Sequence, residues 1–339
     1  MTRLLPGALV VIAVAWAAGG CRTHDAASGS DAGATSPIAG TKARQPVPVA
    51  RHQTARNAWR SQLEDIGIEA RHLDSLTKLV RPAIRLESRK VAQADLWLGQ
   101  SRLGGEPDLP TKFKWPVYKG KPLAFVAQLN MEAAARVMPS APLPKRGHLW
   151  FFYAPEQQNW GFDPRDRGSS VVHYEADVTL ERRALPRDLP QAGRFQPCAV
   201  AMVSYVDIPS MEDERNPLMG ADDDDTLESY SDVQDKLASP NSDIAHKLLG
   251  HAQTIQGAME LECALTSSGI YTGDASGYKD RRAAKLAKSQ YDWRLLLQVD
   301  SDEHAGMMWG DAGRIYYWIR DQDLLERRFD KSWLVLQCY

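Results

Sequence analysis

The segments LAFVAQLN (residues 123–130) and GHLWFFYAPE (residues 147–156) decide the fold, because a second pair further along the chain repeats their pattern. That pair is WRLLLQVDSD followed by GRIYYWIRDQD, which together span residues 293–323. In each pair an apolar run has a glutamine near its end, Gln128 or Gln298, and a glycine opens a second run dense in aromatic residues. We interpret this likeness as an internal duplication. Chance similarity of two apolar hairpins is the alternative, since strand patterns carry little information.

Strands outnumber helices along the chain and follow one another in pairs, which favours an α+β fold over an alternating parallel one. The residue pattern predicts helices at 55–79, 240–249 and 279–290. It predicts strands at 83–87, 122–129, 147–153, 170–180, 198–207, 292–299, 313–319 and 333–338. We therefore expect two similar β-rich halves packed as one domain over residues 53–339, with an N-terminal helix.

The first residues have the layout of an export signal. Residues 1–20 carry Arg3, then an apolar run, then small residues, as in a cleaved signal peptide. The run AAGGC, which ends at Cys21, resembles a bacterial lipobox, although Ala18 stands where leucine is usual. We expect Cys21 to carry lipid and to hold the protein on the outer membrane facing the periplasm, because Arg22 is not the aspartate that retains lipoproteins in the inner membrane. An ordinary signal peptide with an incidental cysteine is the alternative.

Residues 21–52 predict a disordered tether behind that lipidated cysteine. They are small, polar and punctuated by proline, and such segments lack the apolar surface that would offset the entropy lost on ordering. A flexible tether of this length reaches on the order of 30 Å. We expect it to hold the folded domain away from a membrane surface.

Charge and cysteine content narrow the classes of function. The chain has a formal net charge of −2, and removal of residues 1–20 with Arg3 leaves −3. Nucleic-acid binding needs a basic footprint, so we expect no nucleic-acid partner.

Three cysteines follow Cys21, namely Cys198, Cys263 and Cys338. They permit one disulfide of undetermined pairing, or three buried thiols.

The stretch SRLGGEPDLPTKFKWP, residues 101–116, predicts a rigid connection between elements. Gly104 and Gly105 can adopt positive φ or allow close backbone approach, while the prolines fix φ and extend the residues before them. The stretch lacks the phosphate-loop pattern. We expect a structural brace here in preference to a ligand contact.

Six ordered motifs carry a resemblance to a known family. They are GGEPDLP with the following Trp115 and Pro116, FVAQLN, GHLWFFY, HKLLGHAQTIQ, LLLQVDSD and WGDAGRIYYWI. Together they resemble the YwqG-like family, a bacterial domain family of unknown function, over roughly residues 80–339. The resemblance implies an α+β fold of two similar β-rich halves, and it implies no reaction.

One segment has the partial pattern of a metal site. In DSDEHAGMMWGD, Asp300, Asp302 and Asp311 occupy positions 1, 3 and 12 of a calcium loop, but His304 and Ala305 occupy positions 5 and 6, where an oxygen ligand and glycine are needed. A solvated loop between strands is the simpler interpretation. His246 and His251 also lack zinc-helix spacing, so we interpret them as a surface histidine and a turn histidine. No serine nucleophile elbow occurs. We expect no catalytic residues, no bound metal and no cofactor.

A strongly acidic segment is the leading candidate for partner binding. Residues 211–235 hold ten acids against Arg215 alone, and such runs are usually solvated, mobile loops that can attract a basic partner or a cation. Tryptophans at 150, 309 and 318 could form a platform for sugar or peptide, although strand alternation places most of them in a core. The candidate partner-binding residues are Asp222, Asp223, Asp224, Asp225, Trp309 and Asp311.

Three classes of function follow. The first is a lipid-anchored periplasmic module that binds a protein, either a toxin that it neutralises (an immunity-type role) or an envelope protein. The second is a lipoprotein that binds cell wall or glycan. The third is a metal-assisted hydrolase built on Asp300, Asp302, His304 and Asp311. Enzymatic activity is the less favoured of these readings, because no motif supplies a nucleophile or a complete metal site.

Overall fold

The computed structural model describes residues 58–219 and 224–339. Fourteen strands occur in this part of the chain. In chain order they are β1 Arg81–Lys90, β2 Arg102–Leu103, β3 Asp108–Pro110, β4 Val117–Tyr118, β5 Lys121–Pro122, β6 Ala124–Asn130, β7 His148–Tyr153, β8 Ser170–Glu175, β9 Leu180–Arg182, β10 Cys198–Asp207, β11 Lys247–Leu249, β12 Trp293–Asp300, β13 Arg314–Arg320 and β14 Trp333–Gln337. The signal peptide, Cys21 and the tether expected from the sequence lie outside the described residues.

Helices are shorter and pack around the sheet. They are α1 at 58–65, α2 Ala70–Leu76, α3 Met131–Val137, α4 Asp224–Ala238, α5 Glu260–Ser267, α6 Ala275–Tyr278, α7 Ala283–Ala287 and α8 Asp321–Leu325. Short 3-10 turns join several of these elements, and the one at Phe329–Lys331 precedes β14. The protein is thus a mixed α and β fold dominated by its sheet, which confirms the α+β expectation at that level.

Ten of the strands form one antiparallel sheet in the order β14-β13-β12-β11-β1-β10-β2-β6-β7-β8. Its centre is the long β1–β10 pair, in which Glu87 lies opposite Ala201. On each side of this pair come one short strand, a bulged strand, an aromatic strand and an edge strand. The bulges fall at corresponding places, between Phe125 and Ala127 and between Leu295 and Leu297.

A single large core joins the two sides of the sheet. It contains the inward-facing residues of both aromatic strands, β7 and β13. The rings of Phe151 and Tyr317 meet edge to face with their centroids 5.0 Å apart, and the Tyr317 hydroxyl donates to the carbonyl oxygen of Phe152 at 3.2 Å. Such aromatic pairs add about 0.5–1.5 kcal/mol beyond the burial of their area. The two sides therefore share this main core, while the other face of β12, β13 and β14 forms a smaller cluster with α5.

The expected helix at 55–79 is two helices in the described residues. The first ends where Gly67 takes a φ of +86°, and the Ile68 N–H donates back to the Leu63 carbonyl oxygen at 3.0 Å. This is how a glycine in the left-handed region ends a helix. Both helices still bury their apolar residues, including Leu63 and Leu73, in a second core cluster.

Two further expectations about elements are corrected. Residues 240–249, expected as a helix, contain strand β11, which fills the gap between β1 and β12; sheet pairing here overrides local preference. The acidic stretch 211–235, expected as a mobile loop, ends in helix α4. This helix packs through Tyr230, Val233 and Leu237, which lie on one helical face.

The glycine- and proline-rich stretch 101–116 is a brace, as expected. Gly104 and Gly105 have φ values of +56° and +67°. A Cβ on Gly104 would lie 2.4 Å from the carbonyl oxygen of Gln196, and one on Gly105 would lie 2.4 Å from Oε1 of Gln93. Besides its φ, Gly104 is therefore required by the close approach of the Gln196 backbone, and Gly105 by the close approach of Gln93 and Pro197.

Candidate functional site

The loop that carries Asp300 and Asp302 is held by the protein's own donors. Asp300 forms an ion pair with Arg314 at 3.0 Å and accepts the Ala245 N–H at 3.0 Å. Asp302 Oδ2 accepts from the Ser88 hydroxyl at 2.8 Å and lies 3.1 Å from Nε2 of the buried His246. Its Oδ1 accepts the N–H groups of residues 304 and 305. Both carboxylates are thereby saturated.

The protonation states in this cluster follow from its hydrogen bonds. The Asp300 N–H donates to Nδ1 of His246 at 3.0 Å, so the neutral ring carries its proton on Nε2 and donates it to Asp302. Burial alone would raise the pKa of Asp302, but the hydrogen bonds from His246 and Ser88 outweigh burial and hold that pKa well below its ordinary value. Asp302 is an ionised structural acceptor and has no free lone pair directed toward a substrate.

The four residues of the hydrolase hypothesis do not converge on a shared ligand. Asp300 and Asp302 are buried, whereas His304 and Asp311 are exposed. Across residues 58–219 and 224–339, no group of three or more His, Cys, Asp or Glu side chains is arranged to hold a metal ion.

His246 and His251 were interpreted from sequence as a surface and a turn histidine. Both are buried, with 1% and 6% of their surface exposed. His246 bonds to Asp302, as described above, and the ring of His251 contacts the Leu79 carbonyl oxygen at 2.8 Å. Burial, followed by the nearby charge of Arg81, lowers the pKa of His251 to about 4, so its ring is neutral at physiological pH.

The tryptophans singled out from the sequence lie in the core. Trp150, Trp309 and Trp318 are at most 2% exposed. Trp309 donates through Nε1 to the Asp300 carbonyl oxygen at 3.1 Å and packs against the rings of Tyr153 and Phe195. In this conformation they form no surface platform, and Trp309 supports the loop in which it lies.

The acidic candidates divide between described and undescribed residues. Asp222 and Asp223 lie outside the described residues, and of Asp224 only the backbone is described, as the first residue of α4. Asp225 is exposed in the first turn of that helix, where a carboxylate interacts favourably with the helix dipole. The partner-binding role of this segment stays a prediction.

The three cysteines after Cys21 are buried and form no disulfide among the described residues. Burial raises the pKa of Cys198 to about 11, and burial also raises the pKa of Cys263. A buried thiol that is protonated at neutral pH is a poor nucleophile. These cysteines contribute to packing.

A concavity lies where the two edges of the large sheet approach each other. It has a volume of about 210 Å³ and is lined by residues 166–172 on the β8 side and by residues 330 and 332–334 on the β14 side. We call it the edge slot. Sequence reasoning found both strands but missed the slot, because the order of strands in a sheet is not a local signal.

The backbone of each edge strand directs alternate residues into the edge slot. The Ala154 N–H donates to the Ser169 carbonyl oxygen, so Ser169 and Val171 face β7, and Ser170 and Val172 face away from it. None of the described residues accepts a hydrogen bond from the N–H of Ser170 or Val172. These donors are open to a partner.

The β14 edge is partly occupied already. The Leu336 N–H donates to the Trp160 carbonyl oxygen at 3.0 Å, and the Trp333 Nε1 donates to the Gly161 carbonyl oxygen at 2.8 Å. By alternation Leu334 also faces outward, and within the described chain its N–H has no acceptor. The open part of this edge therefore begins where the Trp160–Gly161 segment ends.

A second, wider concavity of about 600 Å³ adjoins the same loop. It is lined by residues 162–165, Gly269 and Tyr271. The rings of Phe162 and Tyr271 meet edge to face at 5.8 Å, and Tyr271 is 41% exposed. Exposed aromatic side chains of this kind are common at protein interfaces.

Comparison with known proteins gives a family and no activity. The family model of a domain of unknown function, DUF1963, matches residues 101–338. A comparison with curated proteins finds no match. Among the described residues, no helix combines the length and the apolar character needed to cross a bilayer. The match starts after β1, although β1 lies at the centre of the sheet between β10 and β11. Since the matched region is well over half of the chain, the protein belongs to the DUF1963 family of domains of unknown function.

Proposed function

We propose that the protein is a non-catalytic module that binds another protein in the cell envelope. The observation that carries this proposal is the edge slot, where two sheet edges with unpaired N–H groups enclose a narrow space. Exposed sheet edges are sites of pairing with other chains unless they are covered. The conspicuous acids and histidines of the described chain are instead consumed by internal hydrogen bonds, which supports binding over chemistry.

We further propose that this module is anchored by lipid at Cys21, as the lipobox-like AAGGC implies. An outer-membrane anchor facing the periplasm and a flexible tether would present the edge slot to envelope proteins. Labelled palmitate should enter the wild-type protein and not the Cys21→Ser variant. A single acyl chain binds membranes only marginally, and several chains bind firmly. Mature protein that is free in the periplasm and begins elsewhere than Cys21 would exclude the anchor.

Within the family, we propose the YwqG-like branch and an origin by internal duplication. The support is a set of corresponding hydrogen bonds. Gln128 Oε1 accepts the N–H of Asp108, and Gln298 Oε1 accepts the N–H of Gln253. Asp108 and Gln253 each lie six residues after a buried cation, Arg102 or Lys247. Two apolar hairpins can resemble each other by chance. Chance explains less well why the same polar contacts recur at the same spacing in both.

An immunity-type role, neutralising a toxin that reaches the periplasm, is the most specific form of the proposal. A lipid-anchored protein that binds without chemistry can protect the compartment in which it is held. The test is crosslinking of the full-length protein in its native envelope, followed by purification and mass spectrometry. We expect one protein partner in a stoichiometric complex. Absence of any crosslinked partner, in cells that also contain the gene neighbours, would contradict the proposed function.

A further inference from the structure

We propose that the edge slot binds an extended segment of a partner protein, which adds a strand between β8 and β14. This inference rests on the proposed function and names its binding site. Strand addition of this kind uses main-chain hydrogen bonds for affinity and alternate side chains for specificity. The slot offers both.

The main-chain donors are in place on both sides. Ser170 and Val172 direct their N–H groups into the slot from β8, and Leu334 does so from β14. The protein itself uses the neighbouring position on the β14 edge, where Leu336 donates to the Trp160 carbonyl oxygen. An extended segment that follows on from Trp160–Gly161 would continue the pairing already begun.

The slot is small for an enclosed metabolite site. Its volume of about 210 Å³ is below the ~300–1,000 Å³ of common small-molecule sites, so an occupant would lie only partly inside it. The slot is bordered by the first residues of β8 and β14 and by the residues that precede each strand, so an extended segment would pair there over a few residues only.

The two faces of the slot differ in chemistry, which specifies the occupant further. Val172 and Leu334 belong to the main core, with 3% and 4% exposure. On the other face the Arg167 guanidinium lies over the Trp333 ring, 5.3 Å from its centroid, and Asp330 is exposed nearby. We therefore expect an occupant with small apolar side chains toward the core and polar side chains toward solvent.

A proline substitution can close the β8 side with little effect on the fold. Ser170 is the first residue of β8 and its N–H faces the slot. Proline is tolerated at the first residue of a strand and on edges whose N–H is not paired. Ser170→Pro removes the donor and places the ring in the slot. Ser170→Ala, which keeps the N–H, is the matched control.

The test uses heptapeptides selected from a random phage-displayed library on the purified full-length protein. We expect a selected peptide to bind the wild type and Ser170→Ala alike, and to bind Ser170→Pro at least tenfold more weakly. N-methylation of alternate residues of the peptide should abolish binding in one register and be tolerated in the other. Urea unfolding of Ser170→Pro checks its fold. If Ser170→Pro does not fold, the N-methylation pattern of the peptide tests the inference by itself.

Three results would overturn the inference. The first is equal binding of the selected peptide to wild type and Ser170→Pro, and the second is the absence of any peptide that binds. The third is a wild-type dimer that the Ser170→Pro substitution dissociates, because this would assign the slot to a second copy of the chain. Envelope crosslinking separates this failure from that of the proposed function. A partner captured equally by wild type and Ser170→Pro would exclude the slot and retain the binding function, whereas no partner for the wild type would exclude the function.

Discussion

The two sides of the sheet use one arrangement of glutamine hydrogen bonds around two different ion pairs. Gln128 and Gln298 each donate to a carbonyl oxygen two residues before the buried cation, at 3.0 and 2.7 Å. Each also accepts the N–H of the sixth residue after that cation, at 2.7 and 3.0 Å. An aromatic residue of the next strand then donates to the carbonyl oxygen of that sixth residue. The backbone geometry is the shared element.

The ion pairs differ in how the cation is held. Arg102 pairs with Asp108, which also binds Arg182, and it donates to the carbonyl oxygens of residues 97, 100 and 106. Lys247 of β11 pairs with Asp207 of β10, the strand on the far side of β1, at 2.9 Å. The other Asp207 carboxylate oxygen has no hydrogen-bond partner among the described residues. The glutamine arrangement therefore tolerates either cation. Loss of the counterion should lower the free energy of unfolding by different amounts on the two sides, whereas loss of the glutamine should lower it by the same amount.

The largest expected effect comes from removing a counterion. Asp108→Ala leaves Arg102 charged and buried, and breaking a buried pair in this way costs about 3–5 kcal/mol of unfolding free energy. Burial lowers the pKa of Arg102 to about 10, so the residue stays charged at neutral pH. Asp207→Ala should cost less, because Lys247 can lose its proton. Urea unfolding at pH 7 measures both costs.

The pH dependence separates the two variants further. Burial already lowers the pKa of Lys247, and Asp207 opposes that shift, so Asp207→Ala lowers the pKa further. The unfolded lysine then binds more protons than the folded one, and stability relative to wild type rises with pH, by up to about 1.4 kcal/mol per unit. We expect this rise below the ordinary pKa of lysine, about 10.4, for Asp207→Ala, and none for Asp108→Ala. Parallel pH profiles would contradict the comparison.

The next effect tests the shared element. Gln128→Ala and Gln298→Ala each leave one buried N–H, that of Asp108 or of Gln253, without its acceptor, at about 1–3 kcal/mol per unsatisfied group. The two variants should lose the same stability to within about 1 kcal/mol. Chemical denaturation gives both values, with Gln191→Ala, at an exposed glutamine, as a control. A loss confined to one of them would show that the two arrangements are not equivalent.

The smallest effect on stability removes one donor. Tyr316→Phe deletes the hydroxyl that donates to the Gln253 carbonyl oxygen at 2.7 Å and keeps the ring, so it should cost about 1 kcal/mol. Trp150→Phe deletes the equivalent bond to Asp108, which measures 2.8 Å, and also leaves a cavity, so it should cost more. Thermal unfolding of both variants would check this order. A neutral Tyr316→Phe would mean that water replaces the hydroxyl.

The sequence was sufficient for the eight longer strands and for the likeness between the two strand pairs, but not for the short strands, of which β11 was expected as a helix. Gln128 and Gln298 stand out because a polar residue recurs in two apolar strands, and β10 occupies the residues predicted for it. The helix α4 was missed although Tyr230, Val233 and Leu237 have helical spacing. The acidic run obscured that signal, since charge runs usually mark solvated loops.

The candidate site was much less predictable. The slot depends on β8 and β14 lying at opposite ends of one ten-stranded order, and neither strand has a sequence feature that identifies an edge. Trp309 was proposed as a surface residue, but it folds back onto Asp300 and Phe195. Contacts between residues far apart in sequence determine both the position of the slot and the burial of Trp309. A pattern within a short window of sequence carries no information about such contacts.

Amide hydrogen exchange in the unliganded protein tests the central claim most directly. If the slot is open, the N–H groups of Ser170, Val172 and Leu334, which lack an acceptor among the described residues, should exchange much faster than the paired amides beside them. Those of Val171 and Val335, which pair inside the sheet, should exchange far more slowly, since sheet hydrogen bonds protect amides. Alternating fast and slow exchange along both strands is the predicted result. Equal protection of all five amides would show that the edges are already paired and would contradict the account.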